Sequence, residues 1–161
     1  MLNLFKKKAE DVILYAPVNG DGVALDKVND KMFADKVLGD GIAVIPKEEV
    51  IYAPCNGVIS MVAVTKHAFG ITADNGAEIL VHIGFDTVSL NGEGFQIYVK
   101  QGQKVKANDQ VLKVDISLMK EKQIDMTIPV VVTNSSEYEI IKIKEMGSVT
   151  KEMQMVKIRK K

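Results

Sequence analysis

The sequence predicts an all-β protein, an antiparallel β-sandwich or barrel with pseudo-repeated strand–turn units and one or two short helices. Turn-forming pairs such as Asn56-Gly57 and Asn91-Gly92 divide the chain into short segments rich in Val, Ile, Tyr and Thr. The hexapeptide Tyr-Ala-Pro-x-Asn-Gly, moreover, begins at Tyr15 and again at Tyr52. Because proline is excluded from central strands and Asn-Gly favours positive φ, each copy indicates a strand end that leads into a tight turn. We therefore expect similar local structure on two sides of a pseudo-symmetric sandwich.

Three segments carry clear strand patterns. Residues 58–65 alternate between two faces, as a strand does. Residues 79–83 are almost continuously apolar, which predicts a strand covered on both faces. Residues 148–161 alternate well enough to predict a closing strand with a basic end.

Two segments favour short helices of about two turns each. The first lies near residues 30–38, with Asn29 or Asp30 as N-cap and Gly39 following its last turn. The second lies near residues 117–123 and is preceded by Asp115.

Composition predicts one cytoplasmic domain. The chain has 161 residues, 47% of them apolar, so it can bury a core. Its 21 basic and 21 acidic residues give no net charge, which argues against nucleic acid as the main partner. The single cysteine, Cys55, excludes an internal disulfide, and no apolar run is long enough for a signal peptide or a membrane span.

The domain is expected to span residues 12–161 after a flexible N-terminal segment, residues 1–11. The initial Met1 and this short lead-in favour a free-standing protein. Leu2, Leu4 and Phe5 precede Lys6, Lys7 and Lys8, so weak peripheral contact with anionic lipid is an alternative to a solvated tail.

The two histidines of the chain, His67 and His82, are its first candidates for chemistry, because imidazole titrates near neutral pH. If both lie in strands, Thr65 shares a face with His67 and Gly84 shares a face with His82. A histidine nucleophile must be neutral, with one ring nitrogen held as a donor. A backbone carbonyl near Gly84 or the Thr65 hydroxyl fits this task, and the missing side chain at Gly84 gives a partner access. The alternative is a pair of packed core histidines.

Several enzyme classes lose support because their motifs are absent. The chain has no Gly-x-x-x-x-Gly-Lys-Ser/Thr loop, no Gly-x-Gly-x-x-Gly, no His-Glu-x-x-His and no Gly-x-Ser-x-Gly. Cys55 follows a proline in a turn and is expected to be a small buried residue, not a nucleophile. A histidine that accepts a phosphoryl group from another protein needs none of these motifs.

The heptapeptide His-Ile-Gly-Phe-Asp-Thr-Val, which begins at His82, is long and specific. With residues 65–71, it resembles the glucose-type IIA component of the bacterial phosphoenolpyruvate-dependent sugar phosphotransferase system. The resemblance covers most of residues 12–147, including the segments 32–43, 78–95, 93–105 and 127–134.

The resemblance implies a carrier that takes a phosphoryl group from the histidine of HPr and passes it to the IIB domain of a sugar permease. His82 matches the phosphorylated histidine, and His67 matches a partner histidine that supports onward transfer. Thr65 matches a hydroxyl bonded within this pair. Positioning and electrostatics supply most of such catalysis, so the reaction needs no metal or other cofactor.

The resemblance also implies a docking surface for HPr and IIB around the histidines. Asp30 and Asp86 offer carboxylates to a basic partner. The matching apolar positions are Met32, Val37, Leu38, Ala63, Leu80 and Val88. Without the resemblance, this apolar set would be assigned to the core.

Three other functions stay open from the residues alone. His67, His82 and Asp86 suggest a zinc hydrolase, although a zinc ion bridged by the two histidines and a partner fits the sequence better. Lys104 and Lys120 suggest a lipoyl or biotinyl carrier. The third is a regulatory module that binds other proteins according to its phosphorylation state, which the resemblance allows alongside transfer.

Overall fold

Short antiparallel strands are the main regular secondary structure of the computed structural model, which describes residues 10–161. The two α-helices of this part of the chain are α1 (Lys31–Ala34) and α2 (Ile116–Glu121). The strands are β1 (Val12–Tyr15), β2 (Gly20–Val23), β3 (Asp40–Pro46), β4 (Val50–Tyr52), β5 (Gly57–Val62), β6 (Ala68–Ala73), β7 (Glu78–His82), β8 (Phe95–Ile97), β9 (Lys104–Val105), β10 (Gln110–Val114), β11 (Ile128–Val132), β12 (Tyr138–Lys142), β13 (Gly147–Val149) and β14 (Gln154–Lys160).

The strands form one large sheet and two small ones. The large sheet has the order β13-β2-β3-β11-β7-β6-β5-β9, and the small sheets have the orders β1-β14-β12 and β4-β10-β8. Every paired strand is antiparallel to its neighbour. The all-β antiparallel class is thus confirmed, with two short helices.

The large sheet has four strands on each side of the boundary between β11 and β7, and each small sheet combines one strand from the N-terminal half of the chain with two from the C-terminal half. The two hexapeptide copies contact each other through backbone hydrogen bonds. The Tyr15 amide donates to the Pro54 carbonyl, and the Tyr52 amide donates to the Pro17 carbonyl, each at 2.8 Å. The sequence repeat therefore corresponds to a reciprocal contact between two similar strand–turn units.

Both helices begin where the sequence predicts, but each is shorter than the predicted segment. Asp30 and Asp115 accept hydrogen bonds from amides of the first turns of α1 and α2. Lys36, two residues beyond α1, has a left-handed φ of 58°, so the helical segment ends before Gly39. Gly39 is needed for another reason, because a Cβ there would lie 2.2 Å from the Val132 carbonyl oxygen. Gln123 has a φ of 59° just beyond α2, so neither helix reaches the expected length.

The expectation that residues 79–83 are covered on both faces is wrong in part. Ile79, Val81 and Ile83 are buried in the main core between the sheets. Leu80 and His82, on the opposite face, are only half-buried. A small second cluster under α1 packs against Leu80 but does not extend far enough to cover the strand. This incomplete cover leaves one imidazole accessible on an otherwise apolar strand.

The N-terminal segment falls mostly outside the described residues, which begin at residue 10. The predictions of flexibility and of lipid contact for residues 1–9 therefore remain predictions. Asp11 is held by Arg159, whose guanidinium lies 3.0 Å from the carboxylate. No helix within residues 10–161 has the length and apolar character that a membrane crossing requires.

Cys55 is buried as expected. Its side chain is 1% exposed, and burial together with the nearby Asp74 carboxylate raises its pKa to about 12. A thiol in this state is a packing residue and a poor nucleophile.

Candidate functional site

The two histidines lie side by side at one end of the large sheet. His82 is the last residue of β7, and it pairs with Ala68, the first residue of β6. Because His67 immediately precedes Ala68, the two imidazoles come together with ring centroids 4.8 Å apart and an interplanar angle of 78°. The Ile83 amide also donates to the His67 carbonyl at 2.7 Å, which fixes the backbone of one residue beside the other.

Thr65 and His67 contact each other, although the expected strand geometry is wrong. Both lie in the turn between β5 and β6, where Lys66 has a left-handed φ of 62° and its amide bonds to the Ala63 carbonyl. Within this turn, Thr65 Oγ1 lies 2.6 Å from His67 Nδ1. The bond fixes the orientation of the ring. When Nδ1 accepts from the hydroxyl, Nε2 of the neutral ring carries the proton.

His82 is held by a backbone carbonyl, as one of the two expected arrangements requires. Its Nδ1 lies 2.7 Å from the Gly84 carbonyl oxygen, which can only accept a hydrogen bond. Nδ1 must therefore carry the proton. In the neutral ring the lone pair is then on Nε2, which is the atom available to attack an electrophile.

Gly84 does not leave space for a partner. The residue is buried and has a φ of +76°. A Cβ there would lie 2.9 Å from Thr87 Cγ2 and 3.0 Å from the Asp125 carbonyl oxygen. The missing side chain thus allows close packing within the chain and aims the carbonyl at His82.

Both imidazoles are held in the neutral state. Burial lowers the pKa of His82, although the Gly84 hydrogen bond and the Asp30 and Asp86 carboxylates oppose this shift in part. Burial also lowers the pKa of His67, and the neighbouring His82 lowers it further. At neutral pH the site therefore contains two uncharged rings flanked by two carboxylates.

Phe33 is a site residue that sequence reasoning missed. Its ring centroid lies 5.3 Å from that of His82 and 5.8 Å from that of Phe85. Phe33 comes from α1, which begins at the Asp30 cap, so the cap positions an aromatic ring against the imidazole. An aromatic residue in a short helix normally indicates core packing, and no sequence signal distinguishes this contact.

The expected docking positions differ in exposure. Met32, Val37 and Val88 are 50%, 63% and 54% exposed. Apolar side chains that are exposed to this extent favour a contact surface over a core. The half-buried members of the set are Leu38, Ala63 and Leu80. Val64, which the sequence did not single out, is 97% exposed beside Thr65.

The two acidic positions lie on separate loops near His82. Asp30 is half-buried and caps α1, whereas Asp86 is exposed with a left-handed φ of 61°. A non-glycine residue in this conformation stores strain, which functional sites often contain.

Two alternative functions gain no support from the geometry. The described residues contain no group of three or more His, Cys, Asp or Glu side chains that could hold a metal. Lys120 lies in α2 and Lys104 lies in β9, whereas a lipoyl or biotinyl lysine needs a hairpin tip.

The fold is that of a known structure. The glucose permease IIA of Mycoplasma capricolum superimposes with a TM-score of 0.83 and is 38% identical, covering 92% of this chain and 96% of that one. The family model of the phosphoenolpyruvate-dependent sugar phosphotransferase system, EIIA 1, matches residues 12–138. The chain therefore belongs to this family of EIIA components.

Relatives occur both as separate proteins and as parts of larger ones. The glucose-specific EIIA component of Bacillus cereus is 41% identical over 145 residues, covering 86% of this chain and 88% of that protein. The beta-glucoside-specific EIIBCA component of Bacillus subtilis is 41% identical over 85% of this chain, which spans 22% of that protein. The N-acetylglucosamine-specific EIICBA component of Klebsiella pneumoniae is 43% identical over 84% of this chain, which spans 21% of that protein.

Proposed function

We propose that the chain is a phosphoryl carrier that accepts the phosphoryl group of phospho-HPr on Nε2 of His82 and passes it to the IIB domain of a sugar permease. The observation that carries this proposal is the hydrogen bond from His82 Nδ1 to the Gly84 carbonyl, beside a second neutral imidazole. The proposed location is the cytoplasm, and the proposal includes no metal or other cofactor.

The first step is an in-line exchange between two imidazoles. The lone pair on His82 Nε2 attacks phosphorus, a new N–P bond forms, and the N–P bond to the HPr histidine breaks with its electron pair returning to that ring. His82 keeps its Nδ1 proton throughout, because the Gly84 carbonyl holds it. The phosphorylated ring is then cationic, and a cationic imidazole is a better leaving group for the second transfer. A neutral His82 before transfer, which its lowered pKa ensures, is therefore the required starting state.

His67 supports transfer as a hydrogen-bond donor. With Nδ1 accepting from the Thr65 hydroxyl, Nε2–H is free to bind a phosphoryl oxygen on the adjacent His82. Such a donor stabilises the charge that develops on the transferring oxygens.

The partners follow from the surface and from the fused relatives. The exposed apolar side chains of Met32, Val37 and Val88 offer area that a partner can bury. Asp30 and Asp86 add negative charge beside the reacting atom, which suits a basic partner such as the proposed HPr. Relatives named EIIBCA and EIICBA join an EIIA domain to the IIB and IIC domains of a permease, which supports IIB as the acceptor.

The test is reconstitution of the transfer chain. The purified protein is incubated with phosphoenolpyruvate, Enzyme I and HPr, and then with a IIB domain. We expect acid-labile, base-stable label on this chain that depends on HPr and moves to IIB. Labelling that survives the substitution His82→Ala would contradict the proposed acceptor.

A further inference from the structure

Asp125 connects the two loops that carry the acidic residues of the site. Its backbone carbonyl accepts from the Phe85 amide at 2.9 Å, immediately before Asp86. Its carboxylate Oδ2 accepts from the Asn29 side-chain amide at 3.2 Å, immediately before Asp30. One residue thus holds both loops.

The connection is itself held in place. Asp125 Oδ1 accepts from the amide and the hydroxyl of Thr127, at 2.9 and 2.7 Å. Burial raises the pKa of Asp125, but the bonds from Thr127 and Asn29 outweigh it and lower the pKa overall. The carboxylate is therefore ionised at neutral pH and is a strong acceptor.

The connection also borders open space. Asn29, Asp86 and Asp125 line a hollow of about 420 Å³ next to the site. Among the described residues that line this hollow, only Asp125 forms hydrogen bonds to both the Asn29 loop and the Phe85–Asp86 loop. Without the bond from Asn29 to Asp125, the position of Asp30 relative to Asp86 depends mainly on the apolar contacts of α1.

We propose that Asp125 is a positioning residue for the docking of partner proteins, because it sets the separation of the Asp30 and Asp86 carboxylates near His82. The carboxylates must face a basic partner at a fixed spacing if both are to pair with it, and a loop that samples several positions loses part of that binding energy. The groups that face His82 from the surrounding elements are His67, Asp30 and Asp86. Asp125 touches none of the reacting atoms.

This inference rests on the proposed transfer from HPr, and its test is the steady-state kinetics of that transfer. The substitution Asn29→Ala removes the donor from an exposed side chain, so folding is expected to persist. We expect the KM for phospho-HPr to rise about fivefold, the effect of one lost hydrogen bond of about 1 kcal/mol. The kcat is expected to stay within about twofold, since both histidines keep their bonds.

Exchange of donor and acceptor provides the rescue. In the double variant Asn29→Asp with Asp125→Asn, the amide and the carboxylate change places, the net charge is unchanged, and an amide oxygen remains to accept from Thr127. We expect its KM to return to within about twofold of the wild-type value. A role for Asn29 in local folding alone does not predict such a rescue.

Asp109→Ala is the matched control. Asp109 is an exposed carboxylate that accepts from the Lys106 amide at 2.8 Å, in a turn next to β10. The KM of Asp109→Ala for phospho-HPr is expected to equal that of the wild type. A wild-type KM for Asn29→Ala, or an equal loss in Asp109→Ala, would overturn the inference. Failure of the wild-type protein to accept label from HPr would instead refute the proposed function.

Discussion

His82 donates its Nδ1 proton to the Gly84 carbonyl oxygen across 2.7 Å, two residues along the chain. This short local bond decides which ring nitrogen carries the lone pair. It depends on a backbone that turns sharply after β7, and Gly84 makes the turn with a φ of +76°. The reactivity that we propose for the imidazole thus depends on the conformation of a neighbouring glycine.

Gly84→Ala is expected to destabilise the protein and to slow phosphoryl acceptance. A left-handed alanine costs about 1 kcal/mol in backbone strain, and its Cβ would also press on Thr87 and the Asp125 carbonyl, so we expect a total of about 2–3 kcal/mol. Urea denaturation measures this loss. Gly102→Ala separates backbone strain from packing, because Gly102 has a φ of +90° but nothing lies within 4 Å of its Cβ position. Equal losses for both variants would show that packing around Gly84 contributes nothing.

His67→Gln is expected to separate acceptance from onward transfer. Glutamine keeps an amide donor, so the variant should accept a phosphoryl group from HPr and pass it to IIB about tenfold or more slowly. Rapid-quench measurement of each step checks this, with Thr65→Ser as a control that keeps the hydroxyl beside His67 Nδ1. If acceptance fails in His67→Gln while His82→Gln still accepts, the roles of the two histidines must be exchanged.

Val37→Lys and Val88→Lys are expected to weaken docking. Both side chains are more than half exposed, and at the proposed docking surface a lysine would place a charge where apolar area must lose its water. We expect kcat/KM for transfer from HPr to fall about tenfold. Val58→Lys is the control, since Val58 is 37% exposed and lies on β5, five residues before Ala63 and about 16 Å from it. Wild-type rates in both Val37→Lys and Val88→Lys would assign docking to another surface.

The lowered histidine pKa values predict a dependence of stability on pH. The unfolded chain protonates its histidines as the pH falls through about 6.5, whereas the folded chain resists protonation because burial lowers both pKa values. The unfolded state therefore binds more protons, and the free energy of unfolding should decrease as the pH falls below 6.5. Denaturation at pH 7.5 and 5.5 checks this. In the double variant His67→Ala with His82→Ala, we expect the decrease to be smaller, and an unchanged decrease would contradict this origin.

The fold class was predictable because its signals are local. Asn-Gly pairs, the repeated hexapeptide, and the caps Asp30 and Asp115 each act within a few residues. The helix lengths were not predictable, because Lys36 and Gln123 adopt left-handed conformations that their residue types do not favour.

The site was predictable only in part. The turn between β5 and β6 still brings Thr65 to His67, although a strand was expected there. Phe33 contacts His82, which is about 50 residues away, and Asp125 contacts Phe85 and Asn29, which are about 40 and 96 residues away. No local pattern predicts such contacts, so they were not expected from the sequence.

The proposed transfer is tested most directly by locating the phosphoryl group on a single atom. The chain is labelled with ¹⁵N-histidine, phosphorylated through phosphoenolpyruvate, Enzyme I and HPr, and examined by ¹⁵N and ³¹P NMR. We expect phosphorus on Nε2 of His82, whose Nδ1 keeps its proton toward Gly84, and no phosphoryl group on His67. Phosphorus on His82 Nδ1, or on either nitrogen of His67, would contradict this expectation.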